Sequence, residues 1–484
     1  MSQWSIHPKT KIPQELLELA NGDSLLARIL VNRGVQDLAA ARYYLDTLKI
    51  QASSPLEIPE ISKAYERIEK AIQNKENILI YGDYDVDGTS SVALLYRAFG
   101  MIGIEVQYYI PDRHSEGYGI NKQAIEKIHN ELKVDLMISC DCGISNYDEV
   151  EYAQSIGLDV IITDHHSIPA NPPPGIANCN PKTLPEEHPL HWLPGVGVAY
   201  KLAELILQNH LDKAQAQVYS KSLLDLVALG MIADLAPLRA ENRYLTQIGL
   251  EVLAKTRKAG LQELLKITNR GSNTESIGFG LAPRINAAGR LADATRAVRL
   301  MITEDREEAI ELCKNLDDEN RNRQELCDEI QEEALTYIDE HKAMLENNVI
   351  VLAQEGWHHG VIGIVASRIL DKFHLPVFIM AVDDDSARGS VRSINVPGLD
   401  VYEEMKLIQE QHGLFLGYGG HKMAAGFSVA RTNVEALCQA ISEHFNKRMA
   451  GTNTSKQLII DTALRLNELS ETLIKRLEKL APYG

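Results

Sequence analysis

Between residues 77 and 163, four short β-rich runs alternate with helical stretches. NILIYG is followed by TSSVALLYRAFGMIG, EVQYYI by NKQAIEKIHNEL, VDLMIS by YDEVEYAQSIG, and LDVIIT closes the series. Alternation of this kind predicts right-handed βαβ units and therefore a parallel sheet covered by helices. PANPPPG (169–175) ends the regular pattern, because proline removes backbone donors. A helical section is expected from Ala199 to about Ala254. Ahead of the sheet, QELLELA and DSLLARILVNRG carry apolar residues at helical spacing and predict a small helical lead-in over 1–55.

The second half of the chain reads differently. Residues 303–343 predict one long helix, with a stripe of Leu312, Leu316, Leu326, Ile330, Ala334 and Ile338 on an otherwise charged surface. Such a helix is expected to connect two parts of the molecule while leaning on a neighbour. NVIVLA (348–353) opens a second α/β region that runs to about residue 447, and LIIDTALRL begins something new after GTNTSK. At 484 residues, about three domains are expected. The boundaries are a helical lead-in over 1–55, a catalytic domain over 56–255 and a connector with the long helix over 256–345. A smaller α/β domain over 346–448 and a segment over 455–484 complete the series.

Composition excludes several classes. Hydrophobic residues at 45% and charged residues at 24% are incompatible with wholesale disorder. No stretch approaches the roughly 18–20 apolar residues of a membrane span. MSQWSIHPKTKIP has no apolar h-region, so no secretory signal is expected. Six cysteines without CxxC spacing predict reduced thiols in the cytoplasm. A net charge of −18 on its face opposes a nucleic-acid partner, yet residues 304–342 hold 15 acidic and 5 basic residues and supply −10 of it. Whole-chain charge therefore says nothing about the surface of a binding cleft.

The chemistry is concentrated at strand ends. Asp83, Asp85 and Asp87 stand at alternate positions in YGDYDVDGTS, directly after the strand NILIYG. Three carboxylates so crowded call for a cation, and in an open parallel sheet ligands bind beyond the carboxyl ends of the strands. An EF-hand is excluded, since a strand precedes the loop and Leu94 stands where its twelfth-position glutamate would be. Asp141 follows the strand VDLMISC, and Asp164, His165 and His166 follow LDVIIT. Carboxylate oxygens with one or two imidazoles suit Mn²⁺ or Mg²⁺, and the lack of thiolate ligands argues against structural zinc. Asp234 interrupts the apolar helix of LVALGMIADLAPL, where a buried aspartate needs a partner, either a metal or another group. Two divalent ions bridged by a shared aspartate would stabilise both the attacking and the leaving oxygen of a phosphoryl transfer. No Walker A loop, GxSxG elbow or dinucleotide fingerprint is present, so hydrolysis of a phosphate ester or anhydride is the expected reaction.

GDYDVDGTSS, the SCDCG strand end, TDHH and the IADLAPL aspartate occur in the order of the motifs of the DHH phosphoesterase superfamily, which the chain resembles. GWHHGVIGIVASRI (356–369), GSVRS (389–393), GYGGHKMAAGF (417–427) and PRINAAGRL (283–291) narrow the resemblance to its RecJ family of single-strand-specific DNA exonucleases. The resemblance implies an α/β fold: a parallel-sheet DHH domain, a long helix, a smaller α/β DHH-associated domain and the incomplete start of an OB-type barrel over 455–484. It further implies a 5′→3′ exonuclease of DNA repair and recombination that uses two divalent cations, Mn²⁺ or Mg²⁺.

Carried over position by position, the resemblance assigns Asp85, Asp87, Asp141, His165 and Asp234 as metal ligands with Asp141 as the bridge. Asp83 belongs to the same metal-binding set, and His166 lies beside it near the phosphate. Asp141, His165, His166 and His421 make up the catalytic set, with His421 reaching the scissile phosphate. Ser390, Arg392 and His358, with Arg284 or Arg290, are expected to bind substrate, chiefly a 5′-terminal phosphate, since the arginine fork matches phosphate oxygens. Which of the two arginines takes part is open. The implied partners are single-stranded DNA and a single-strand-binding protein or repair helicase, with no membrane and a monomeric state. The alternative within the superfamily is a phosphodiesterase of short oligonucleotides or cyclic dinucleotides. A polyphosphatase is disfavoured by Tyr81, where those relatives have histidine.

Overall fold

The computed structural model describes residues 3–8, 10–47, 50–113, 116–452 and 454–483. The chain divides into two compact units. Pro8–Asn320 and the segment from Asp461 onward form one, while Arg321–Ile460 and the N-terminal strand through His7 form the other. That strand, β1 (Gln3–Ile6), pairs in parallel with Gln457–Ile460, Trp4 standing opposite Leu458.

The larger unit is built on a sheet of five parallel strands: β2 (Ile78–Gly82), β3 (Gln107–Tyr109), β4 (Leu136–Cys140), β5 (Asp159–Thr163) and β6 (Ala177–Cys179). Their spatial order is β3-β2-β4-β5-β6. Every residue of β2 and β4 is buried, as a parallel sheet covered on both faces requires. The two-residue period of the strands splits them between two cores. Ile78, Ile80, Ile138 and Ile161 face one cluster, and Leu79, Tyr81, Met137 and Val160 the other. The expectation of a parallel α/β fold is met.

Strand order reverses direction between β2 and β4, where β3 lies on one side of β2 and β4 on the other. This is the topological switch point, at which connections diverge and leave a crevice beyond the strand ends. Gly82, Cys140 and Thr163 pair across the three adjacent strands. The residues that follow them, Asp83, Asp141 and Asp164, therefore leave the sheet at one level. Their backbone N–H groups step across it, Asp83 to Cys140 O (3.3 Å), Asp141 to Thr163 O (2.9 Å) and Asp164 to Cys179 O (3.1 Å).

The smaller unit holds a mixed sheet of β7 (Ile350–Glu355), β8 (Val377–Val382), β9 (Ser386–Arg392), β10 (Phe415–His421) and β11 (Ala424–Ala430). The order is β10-β11-β9-β8-β7, with only β7 and β8 parallel. The helices Ile362–Phe373, Val401–His412 and Val434–Arg448 belong to this unit.

The long helix runs from Arg306 to Glu340. Its buried stripe is Leu312, Leu316, Asn320, Arg323, Cys327, Ile330, Ala334 and Ile338, so Cys327 replaces the expected Leu326. A strict four-residue spacing drifts off a helix face, whereas alternating steps of three and four stay on it. No helix among the described residues is long and apolar enough to cross a membrane.

The segment expected to begin a barrel forms one strand and a helix among the described residues. β12 (Gln457–Ile460) pairs only with β1, and a helix over Glu471–Leu477 follows. Arg476 is ion-paired to Asp23. The buried Arg243 guanidinium donates to the carbonyls of Leu480 (2.7 Å), Ala481 (2.9 Å) and Pro482 (2.8 Å). Carbonyls from a turn satisfy this buried cation, which has no acid partner among the described residues.

Candidate functional site

Asp85 caps the helix Val86–Met101, and its Oδ1 accepts the N–H groups of Asp87 (2.8 Å) and Gly88 (3.1 Å). An aspartate at an N-cap satisfies orphan donors of the first turn. Asp87 sits in that turn, buried, and is met by the start of a second helix, Gly195–His210. Gly195 N–H donates to Asp87 Oδ2 (2.7 Å) and Val196 N–H to Oδ1 (2.9 Å). Two helix N-termini thus converge on one carboxylate, which their positive ends favour.

Asp141 has a left-handed backbone, φ 61°, which turns its side chain back over the sheet end. His165 Nε2 approaches Asp141 Oδ1 to 3.0 Å and Asp87 Oδ2 to 3.8 Å. Asp164 organises this edge: Oδ1 accepts the N–H groups of His165 (2.7 Å) and His166 (3.1 Å) and lies 2.7 Å from His166 Nδ1. Its Oδ2 accepts Ile144 N–H at 2.9 Å. Asp234 does not interrupt its helix as expected; it caps the end of Leu224–Ala233. The buried acid within that helix is Asp225, ion-paired to Lys258 at 2.8 Å.

Three overlapping groups of side chains bring ligand atoms within 4.8 Å of one another: Asp83, Asp85 and Asp141; Asp87, His165 and Asp234; and Asp141, His165 and His166. Asp141 and His165 each belong to two of them. The electrostatics are those of a centre made for cations. Burial, then the Asp85 charge, pushes the Asp83 carboxyl up to about 8, and burial and Asp85 push Asp234 up to about 7. Burial and neighbouring aspartates hold Asp87 and Asp141 well above the usual carboxylate range. Asp164 is the exception: burial raises it, but the bond to His166, the charges of His166 and His165 and the Ile144 N–H together hold it below that range. Asp83 Oδ1 and Asp141 Oδ1 are buried without a hydrogen-bond donor, the 3.0 Å approach of His165 being a contact of two ligand atoms. Orphaned, crowded carboxylate oxygens beside an imidazole fit divalent ions such as Mn²⁺ or Mg²⁺.

PRINAAGRL supplies the wall of this crevice. Asn286 Oδ1 accepts Val86 N–H at 3.2 Å, and Gly289 packs on the Tyr84 carbonyl. Sequence reasoning left two arginines equivalent, and their surroundings differ. Arg284 is engaged by Asp317 and the Gly280 carbonyl, both at 2.8 Å, whereas Arg290 acts electrostatically on Tyr84 in the Asp-rich loop. Arg113, stacked 4.9 Å over the Tyr84 ring, and Tyr118, 3.4 Å from both His166 nitrogens, were not anticipated. Their only sequence signal is a loop rich in aromatic and charged residues after β3.

The remaining candidates lie in the smaller unit. Ser390 and Arg392 project from one face of β9, with Arg392 Nη1 3.2 Å from Ser390 Oγ. Ala424 pairs with Arg392 on one side and with His421 on the other, so His421 shares that face two strands away. Gly363, in the first turn of Ile362–Phe373, packs against the same Ser390 and Arg392 side chains, and His358 Nδ1 accepts Gly360 N–H at 3.1 Å. At Gly389 of the same strand, the Phe427 ring lies where a Cβ would be.

The model of the DHH family, N-terminal domain, matches residues 77–231, and that of the DHHA1 domain matches residues 346–447. The single-stranded-DNA-specific exonuclease RecJ of Escherichia coli is 33% identical over 477 residues, covering 95% of this chain and 81% of its own length. The chain belongs to the RecJ family. The RecJ relative from Bacillus subtilis is 36% identical over 488 residues, and this chain spans 60% of its length. A solved structure of RecJ in complex with Mn²⁺ from Thermus thermophilus superposes with a TM-score of 0.84 at 29% identity, covering 100% of this chain and 68% of that one. In this RecJ-family chain the DHH match includes the acids of β2, β4 and β5, and the DHHA1 match includes Ser390, Arg392 and His421.

Proposed function

We propose that this chain is a metal-dependent phosphodiesterase that removes nucleotides from the 5′ end of single-stranded DNA in repair and recombination. The observation that carries the reading is the set of three overlapping ligand groups at the switch point, joined through Asp141 and His165. Membership of the RecJ family supplies the substrate class.

Asp83, Asp85 and Asp141 would hold one divalent ion, Asp87, His165 and Asp234 the other, with Asp141 shared. The ions, when bound, lower the pKa of an attacking water and neutralise charge on the attacking and leaving oxygens. Asp164 fixes the ring of His166, which then presents an imidazole to the phosphate. Asp87 needs no reorganisation, because two backbone N–H groups already orient it. On the smaller unit, Ser390 and Arg392 donate to the 5′-terminal phosphate with His358 beside them, and His421, on the same sheet face, belongs to the phosphate-handling set. Of the two arginines, Arg290 is assigned to the strand and Arg284 to its ion pair with Asp317.

Residues 56–255 act as the catalytic domain in this reading and 346–448 as the domain that positions the strand. A monomer working in the cytoplasm, with a single-strand-binding protein or repair helicase delivering the strand, belongs to the same proposal. Sparse cysteine usage supports the compartment. The test is digestion of 5′- and 3′-labelled single strands with Mn²⁺, alongside duplex and dinucleotide. Early release of the 5′ label from single strands alone is expected. Release of the 3′ label first, or turnover of the dinucleotide alone, would overturn it.

A further inference from the structure

The Asp-rich centre has a cation on its rim that forms no ion pair with an acid among the described residues. Lys182 lies in the turn Pro181–Thr183 after β6, half-buried, with Nζ 4.4 Å from the centroid of the Trp192 ring. The negative charges that act on it are Asp234 and Glu186, and it forms an ion pair with neither. Both members of the stack are fastened to the metal centre by buried asparagines. Asn180 accepts Lys182 N–H on Oδ1 (2.9 Å) and donates from Nδ2 to the His166 carbonyl (3.0 Å). Asn242 donates from Nδ2 to the carbonyls of Trp192 (2.5 Å) and Pro237 (3.1 Å), tying the Trp192 backbone to the turn that follows Asp234.

An ammonium held beside a centre that takes two divalent cations would be repelled once they are bound, unless an anion lies between. A cation–π seat holds the charge in place and leaves its three donors to point elsewhere. The anion this chain must bring to that edge is the backbone of its substrate. We propose that Lys182, seated on Trp192, grips a phosphate of the single strand next to the scissile one. The assignment rests on the reading of the chain as a single-strand nuclease. Trp192 is a positioning residue, acting through Lys182.

The test is salt dependence with the full chain. Each phosphate contact on a single strand contributes roughly 0.7 to the slope of log affinity against log salt. The slope is read from kcat/KM with Mn²⁺ and, separately, from anisotropy of a labelled oligothymidylate without divalent ion. Lys182→Met should flatten both slopes by about 0.7, while Lys182→Arg keeps them. Trp192→Leu, which retains the charge and removes its seat, should flatten them in part. A Lys182→Met slope equal to wild type overturns the proposal, whatever happens to the rate. Titration calorimetry adds a second criterion: altered Mn²⁺ affinity with an unchanged slope would assign Lys182 to Asp234 instead. A wild-type chain that binds strands without cutting them sinks the nuclease reading and still leaves the anisotropy slope to judge Lys182.

Discussion

A Cβ on Gly195 would lie 2.6 Å from the Cβ of Asp141. The same glycine donates its N–H to Asp87, so one residue touches a carboxylate from each of two ligand groups. Gly230 closes the cradle, since a Cβ there would lie 2.9 Å from Asp87 Oδ1. The spacing of Asp87 and Asp141 is therefore set by backbone contact.

Gly195→Ala should push Asp141 away from Asp87. Supporting contacts of this kind are worth roughly 10–100-fold in metal affinity or activity, and overpacking costs about 1–3 kcal/mol of stability. Mn²⁺ titration calorimetry and steady-state rates should show the first, and a modest fall in Tm the second. Wild-type Mn²⁺ affinity would refute the coupling.

Asp141→Asn is the cleaner probe of the shared carboxylate, because asparagine tolerates the left-handed backbone at φ 61°. Hydrolysis should fall below a tenth of wild type in saturating Mn²⁺. The metal-free Tm should stay level or rise, since the lost charge is one that burial and neighbouring aspartates disfavour. Turnover above a tenth would remove Asp141 from the bridging position.

Metal binding should stabilise the protein more at pH 8 than at pH 5.5. Asp83 and Asp234 have folded-state values of about 8 and about 7, above those of an unfolded aspartate. Without metal the folded state binds more protons across this window, so these groups lose stability as pH rises. The ions require deprotonated ligands and reverse that loss. Differential scanning calorimetry with Mn²⁺ and with chelator at both pH values measures the difference. An equal gain in Tm at both would argue against these carboxylates as ligands.

Arg392→Ala should slow 5′-phosphorylated strands about ten- to a hundred-fold and leave 5′-hydroxyl strands nearly unchanged. A charge-assisted hydrogen bond contributes roughly 1.5–3 kcal/mol, and only the phosphorylated end offers the partner. Specificity constants on both substrates decide it. Equal slowing would make Arg392 a general strand contact.

Local chemistry determined much of this protein before any contact was known. Alternating β-rich and helical runs dictate a parallel sheet, because strand and helix periods can be met in that order only by crossovers. Asp83, Asp85, Asp87, Asp141 and Asp164 were legible because each sits within a few residues of a strand end, where such sheets bind ligands. Contacts distant in sequence were not legible. Gly195 meets Asp87 across 108 positions, and no local pattern marks a glycine whose absent side chain makes room for an aspartate. Arg284 and Arg290 look alike in a string, and only the tertiary structure shows that the long helix brings Asp317 to Arg284. Nor does any local pattern show that Gly389 makes room for the Phe427 ring of β11. The run at 455–484 begins with a strand whose sequence specifies its period and leaves its neighbour open; that neighbour is β1. Sequence by itself determined the elements and the acids at their ends; packing decided which of those groups touch, because burial and hydrogen-bond geometry are properties of pairs.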